Sequence, residues 1–575
     1  MKPTLFASVF FLLTPPLAAQ QPVTSTPEKC RVEGLVVKAG TGEPLKKAQV
    51  VLRNAEGREK PYGTITDATG RFLRKDIEPG RYHQSVARNG YVRQQYGQRR
   101  PGRPGTILAL APGQHLRDIV FRLIPAAVIT GRVYDEDGEA VPGVRVQALR
   151  YRYRRGQRQL LPAGQAASND LGEYRLYGLA PGQYHVSATY TRGLRWITGG
   201  GAIGSDESAA DEGYAPTYYP GTTDAGRAIP VAVRSGDEVR AIDFTLLPTR
   251  TVRLRGRVFN AITGRPGRGA MLRLMPRESG VWGGFGSRES VQDAEGAFEI
   301  RGVRPGSYTL LALWFYDNKR YSARVPLEVG TRDIEGINLV ISRGVELAGR
   351  LRVEGFVQPL TSAPRAGATQ SLAQGKTEGQ LELTEVRVSL QPRDPTPMGG
   401  ASASVKVDGT FVLQNVAQDD YRIRVWGAPR DFYLKAARLG GDDVLEEGLS
   451  VSGGQPPDSL ELLLSPGAGR IDGQVWNEDQ QPFSGALVVL VPEPRRRDQA
   501  HLYKSGTTDQ NGRFTLRGIR PGDYKLFAWE EVEPGAYQDA HFLRSYEERG
   551  KPVRVDEAGR LSVQLELISA DQRPR

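Results

Sequence analysis

The stretch Asp509-Gln510-Asn511-Gly512-Arg513-Phe514, followed by Thr515 to Arg520 and then Pro521-Gly522-Asp523-Tyr524, reads as two tight turns around one short strand. Asp can bond its own backbone two residues on, Gly supplies a positive φ, and the aromatic that follows opens the next strand on its core side. The first half is therefore a hairpin. In the second half Pro fixes φ and Gly takes a left-handed position, which predicts another tight turn. The same pattern recurs at Asp67, Gly70, Phe72, Pro79, Gly80, Tyr82, then at Asp170, Gly172, Tyr174, Pro181, Gly182, Tyr184, and again at Asp293, Gly296, Phe298, Pro305, Gly306, Tyr308. A worn copy keeps Asp408, Gly409, Phe411 and Tyr421 but carries Gln418-Asp419 in place of Pro-Gly. In all five copies the turn glycine and the final tyrosine are 12 residues apart, a period that only a repeated structural unit explains.

Upstream of each copy lies a strand with a Gly-x-apolar centre: Gly34-Leu35-Val36, Gly131-Arg132-Val133, Gly256-Arg257-Val258, Gly349-Arg350-Leu351 and Gly473-Gln474-Val475. Downstream each unit closes on a strand that alternates at period two, with one wet and one buried face. These are Ile119/Phe121/Leu123, Ile242/Phe244/Leu246, Ile337/Leu339/Ile341, Leu460/Leu462/Leu464 and Leu561/Val563/Leu565/Leu567. Short strands and tight turns without a competing helical period predict an all-β fold, a tandem array of seven-stranded antiparallel immunoglobulin- or transthyretin-like sandwiches. The expected modules are 30–124, 125–248 with a long loop insertion at 194–230, 249–344, 345–467 (the degenerate one) and 468–575.

With 575 residues the chain is too long for one core, and 68 Gly with 39 Pro suit turn-rich β structure. The first residues read as a secretory signal, with Lys2, an apolar run from Leu5 to Leu13, and a small-residue cleavage region ending near Ala19, followed by a tail over 20–29. No later stretch has the length of a transmembrane segment. The expected location is secreted, periplasmic or attached to the cell envelope. Cys30, the single cysteine, is placed at the end of the tail and forms no internal disulfide. The formal charge of +12, concentrated at Arg93 to Arg103, Arg150 to Arg158 and Arg495 to Arg497, admits an anionic glycan as partner, while export argues against nucleic acid.

The run Gly-x-Val, Pro-Gly-Val, Asp-x-x-Gly-x-Phe and Pro-Gly-x-Tyr, clearest over Gly131 to Tyr184 and Gly473 to Tyr524, resembles the carboxypeptidase regulatory-like domain, related to transthyretin-like and collagen-adhesin B-type modules. The resemblance implies a sandwich of carbohydrate-binding-like type, appended in other proteins to peptidases, adhesins and outer-membrane receptors. Tyr214-Ala215-Pro216-Thr217-Tyr218-Tyr219-Pro220-Gly221-Thr222 is also similar to a segment of large secreted bacterial proteins built from such modules.

Catalytic signatures are missing from the sequence. None of the five histidines has Glu three residues later, as a zinc peptidase would need. His115 falls in a closing strand, His83 and His185 in strands, His501 and His541 in variable loops. There is no Gly-x-Ser-x-Gly elbow, and Asp135-Glu136-Asp137-Gly138 is too short for a calcium loop. No catalytic, cofactor or metal residue is expected, and the chain reads as a non-enzyme.

The fixed spacing of Tyr82, Tyr184, Tyr308, Tyr421 and Tyr524 from Gly70, Gly172, Gly296, Gly409 and Gly512 marks them as structural posts, each with its ring in the core and its hydroxyl on nearby backbone. Ligand-facing aromatics are then expected off the template: Tyr214, Tyr218 and Tyr219 in the long insertion, and Trp282 and Phe285 in the Gly-rich connection of the third module. The functions that fit are binding of a polysaccharide or surface adhesion, with an envelope-protein scaffold or an accessory chain of a separate hydrolase as alternatives.

Overall fold

The computed structural model describes residues 27–55, 60–154, 156–190, 195–197, 212–277, 289–316, 319–355, 383–393, 400–452 and 458–570. The expected leader, and with it Ala19, lies outside the described residues, as do Trp282 and Phe285.

The fifth module shows the plan of all. Its central strand, Gly469–Trp476, pairs antiparallel with Arg513–Ile519 and parallel with Arg560–Glu566. The facing sheet runs Lys504–Thr507, Leu487–Pro492, Gly522–Trp529, Lys551–Val555, giving seven strands in two layers. Between the layers Ile471, Val475, Val488, Leu490, Phe514, Leu516 and Leu526 pack into one core. Separate cores of the same composition occupy the other four units. The molecule is a tandem array of β-sandwiches.

One pairing is hidden from periodicity. In each module the first strand runs parallel to the closing strand, as Cys30–Lys38 does to His115–Leu123 and Val252–Asn260 to Ile334–Ile341. This crossing explains the Gly-x-apolar motif. A Cβ on Gly34, Gly131, Gly256, Gly349 or Gly473 would overlap the carbonyl oxygen of Ile119, Ile242, Ile337, Leu460 or Val563 on the closing strand. In four of these modules it would also meet the ring of Phe72, Phe298, Phe411 or Phe514, the aromatic of the hairpin turn. In the second module Tyr174 takes that place and donates its hydroxyl to Ile242 O at 2.5 Å. Glycine and aromatic are therefore two halves of one contact.

The hairpin turns have the expected chemistry. Gly70, Gly172, Gly296, Gly409 and Gly512 hold φ between 70° and 80°, where a side chain is strained. Asp67, Asp293 and Asp509 each accept two backbone N–H groups, at 2.8 to 3.0 Å. In the second module the acceptor is Asn169 rather than Asp170, because counting back from Gly172 puts the turn's first residue there; its Oδ1 takes the N–H groups of Leu171 and Glu173. In the Pro-Gly turns Gly80, Gly182, Gly306 and Gly522 hold φ of 147° to 156°, a region that side chains rarely adopt, and the next strand begins at each of them. Cys30 is not in a tail. It opens the first strand, is fully buried in that module's core, and sets its Sγ 3.0 Å from Ala111 O; burial pushes its thiol pKa up.

The modules do not form an open string. Ile107 of the first module makes a parallel β-bridge with Asp509 of the fifth, and Gln510 bonds both backbone groups of Ala109 at 3.1 and 2.8 Å. Arg99 pairs with Glu530 and lies 4.2 Å from the Phe483 ring centroid, and Arg100 pairs with Glu531 at 2.9 Å. Consecutive modules are joined as well: Arg195–Ile197 adds a strand to Ala297–Val303, Arg324 pairs with Asp419, and Lys435 bridges Glu354 and Glu557. The chain closes on itself through its fifth module.

That module carries a second apolar layer. Every residue of Leu487–Pro492 is buried, which matches a strand covered on both faces. Its outer face, with Phe527 and Trp529, is roofed by Val532, Ala536, Leu543 and Tyr546 from the segment that includes the short helix Ala540–Arg544. His541 belongs to that helix rather than to a loop. Tyr153, at the tip of the second module's hairpin, reaches the same layer and sits 6.3 Å from Phe542.

Candidate ligand-binding surfaces

The repeated tyrosines have the geometry of posts. Tyr82, Tyr184, Tyr421 and Tyr524 are buried, and each donates its hydroxyl to the carbonyl four residues earlier, at 2.7, 2.6, 2.9 and 2.7 Å. Each thus ties its strand to the turn before it. Burial pushes the Tyr524 phenol up to about 12. Tyr308 is only half-buried, its hydroxyl beside the Arg304 guanidinium, which in turn donates to Tyr214 O at 3.0 Å across the junction of the second and third modules.

The insertion tyrosines are placed differently from an exposed platform. Tyr218 is 6% exposed and packs with Leu149 and Leu160, while Tyr219 leans on Phe244 of the core at 6.3 Å. Tyr214 packs against Tyr190 and donates to Glu136 at 2.7 Å. The physical reason is that Thr217–Tyr218 pairs with Gly182–Thr189, so this part of the insertion is sheet and its rings turn inward.

Open aromatic surface lies instead on the third module. The strand Gly306–Tyr316 overhangs the sandwich at its far end. There Trp314 and Tyr316 stack at 5.3 Å with planes 4° apart, and Phe315, on the opposite side of the strand, is 55% exposed and Tyr316 61%. The hydrophobic alternation Leu311, Leu313, Phe315 continues past the end of the core, a signal present in the sequence and not singled out there. On the other sheet of the module a groove of about 470 Å³ is lined by Arg255, Arg257, Asp293, Glu299, Glu335 and Asn338. Arg255 spans it, 2.9 Å from Glu335 and 3.6 Å from Glu299, and these carboxylates raise its pKa. Phe259 and Val340, partners across the parallel pairing, continue the groove as an exposed apolar strip.

The basic runs are largely used inside the molecule. Arg99 and Arg100 hold the first module to the fifth; Arg496 and Arg497 pair with Glu446 and Glu547; Arg150 and Arg158 lie over the rings of Tyr184 and Tyr151 at 5.1 and 4.4 Å. Among the described residues no group of three or more His, Cys, Asp or Glu converges as metal ligands would, and no helix is long and apolar enough to cross a membrane.

Comparison with known proteins decides the domain type. Residues 31–122 and 128–198 match the family model of the carboxypeptidase regulatory-like domain. Both stretches lie within the first two modules. Among curated proteins the chain is 24% identical over 137 residues to serine-aspartate repeat-containing protein D of Staphylococcus aureus, a match covering 22% of this chain and only 10% of that protein's length. Among solved structures it is similar to BcpA, the major pilin subunit of Bacillus cereus, at 12% identity over 55% of this chain and all of the other, with a TM-score of 0.14. A Streptococcal ancillary pilin matches at 12% identity over 55% of this chain and 99% of that one, with a TM-score of 0.19.

Proposed function

We propose that this chain is a non-catalytic protein of the cell surface or envelope that holds a polysaccharide on its third module. The observation that carries this reading is the stacked, solvent-open end of the strand at Trp314, Phe315 and Tyr316. Phe315 and the outer face of Tyr316 are left to solvent at the end of the strand, which suits a partner with its own apolar faces. Sugar rings offer such faces on their C–H sides and hydroxyls on their edges, and the groove around Arg255 supplies donors and acceptors for the latter. Its volume falls within the roughly 300 to 1,000 Å³ of small-ligand sites. The regulatory-like domains of the first two modules are in keeping with a non-catalytic role.

The test is retention of the whole chain on immobilised polysaccharides. Wild type is retained on at least one, and Phe315→Ala and Tyr316→Ala are not, with thermal stability unchanged in both. A wild-type chain retained on no polysaccharide, or variants retained as well as wild type, would sink the reading and favour an envelope-protein scaffold.

A further inference from the structure

The outer face of the fourth module's second sheet carries a different chemistry from its counterpart in the fifth. Arg387–Pro392 pairs on one side with Ser402–Ser404 and on the other with Asp419–Trp426. Val388, Leu390 and Tyr421 turn into the core, so the residues between them point outward. The register sets Ser404, Arg387 and Trp426 in one rung of that outer face, with Ser402 and Ser389 in the next. Trp426 is 55% exposed, and its indole N–H donates to Ser389 Oγ at 3.0 Å. That bond holds the ring in place and leaves much of it to solvent.

In the fifth module the same rungs hold Leu487 with Trp529 and Val489 with Phe527, and the indole there lies under the segment that includes Ala540–Arg544. The corresponding connection of the fourth module goes elsewhere. From Gly427 to Phe432 the chain crosses to the other sheet, where Tyr433–Leu439 pairs with Leu460–Ser465. Arg387 and Ser389 stand where the fifth module has Leu487 and Val489, so the face is built for water and yet presents a tryptophan. Arg387 is exposed, and among the described residues its guanidinium has no hydrogen-bond or ion-pair partner, Glu385 just ahead of the strand included. Among the outward positions of these strands the carboxylate is Asp420, about 20 Å along the strand from Trp426 and taken by the Ser450 hydroxyl. An open indole beside an uncommitted cation is a surface for a ligand with an apolar face and a negative charge.

We propose that this face of the fourth module binds an acidic polysaccharide, with a sugar ring on the Trp426 indole and its carboxylate or sulfate on the Arg387 guanidinium. Directly opposite residues of an antiparallel pair stand about 5 Å apart at Cβ, so ring and charge of one sugar unit reach both side chains together. The guanidinium offers two parallel donors to carboxylate or sulfate oxygens, and the Ser402 and Ser404 hydroxyls on the adjoining strand meet the hydroxyls of the next unit. The site uses other residues on another module than Trp314, Phe315 and Tyr316, so it stands or falls apart from the reading given above.

Calorimetric titration of the full chain with polygalacturonate, dextran sulfate and neutral dextran tests it. Saturable binding of at least one acidic polymer is expected, and none of dextran; the tighter of the two acidic polymers tells whether the charge recognised is carboxylate or sulfate. Trp426→Ala weakens that binding about tenfold or more with the melting temperature unchanged, and Arg387→Met does the same while flattening its dependence on salt. Arg350→Met, on the module's other sheet, and Tyr316→Ala, in the third module, leave it as it is. The proposal is overturned if neither acidic polymer binds saturably, if dextran or polyglutamate binds as tightly, or if Trp426→Ala binds as wild type does. Acidic polymer lost by Tyr316→Ala and kept by Trp426→Ala would place it on the third module, so that this proposal fails while the earlier reading stands.

Discussion

The third and fifth modules share one template and use it in opposite ways. Both place a glycine of the first strand under an aromatic ring and both run that strand parallel to the last. In the fifth, the outer face of the second sheet is roofed by the segment carrying Ala540–Arg544, and modules one, two and four all touch it. In the third, the corresponding strand runs on beyond the sandwich and ends in exposed rings. The template decides that a sandwich forms. What is added between template strands decides whether a face is sealed against the molecule or left for a partner.

The widest contrast is expected on removing one ring from each. Trp529 is 1% exposed, stacks on Phe527 at 5.0 Å and meets Tyr546 edge-on at 5.8 Å. Its indole N–H has no acceptor among the described residues, so Trp529→Ala loses packing alone. The cost is about 3 to 5 kcal/mol. Tyr316→Ala in the third module is expected within about 0.5 kcal/mol of wild type. Denaturant midpoints measure both, and equal losses would mean that Tyr316 is packed after all.

How much of this contrast could be read from the sequence follows from what repeats. The sandwiches were legible because the spacing from Gly512 to Tyr524, and its counterparts, is imposed by short-range turn chemistry. The roof over Leu487–Pro492 was not, because a run buried on both faces has no period to betray it, although Leu487-Val488-Val489-Leu490-Val491 is unbroken apolar sequence. The burial of Tyr218 and the packing of Tyr219 on the core were not legible, because a two-residue strand inside a long insertion leaves no alternation to see. Closure between Ala109 and Gln510 spans some 400 residues and rests on a side chain imitating backbone, which no local pattern announces.

A smaller effect should be the same in both modules. A Cβ at Gly473 would overlap Val563 O and press on the Phe514 ring at 2.6 Å, and one at Gly256 would overlap Ile337 O and press on Phe298 at 2.7 Å. Gly473→Ala and Gly256→Ala are each expected to cost about 1 to 3 kcal/mol by overpacking. Their reach differs. Loosening the fifth module frees its neighbours, so Gly473→Ala should raise amide hydrogen exchange at Ala109 and Tyr153 as well, whereas Gly256→Ala should leave those positions protected. Exchange confined to the fifth module in Gly473→Ala would show that it is no hub.

The smallest effect concerns the closure itself. Arg99 and Glu530 are both partly exposed, and such pairs contribute under about 1 kcal/mol. Arg99→Ala should therefore shift the midpoint by less than that, and the shift should shrink as salt rises, since solvent-exposed charges are screened. The two bonds from Gln510 to Ala109 and the β-bridge at Ile107 are uncharged and respond little to salt. Small-angle scattering should accordingly give one radius of gyration for wild type and for Arg99→Ala, at low and at high salt. The triple change Arg99→Ala, Arg100→Ala and Gln510→Ala removes the ion pairs and the side-chain bonds to Ala109, leaves the backbone bridge at Ile107, and should enlarge the particle. If Arg99→Ala alone enlarged it, the first module would be held by one exposed ion pair, and the fifth would be no more sealed than the third.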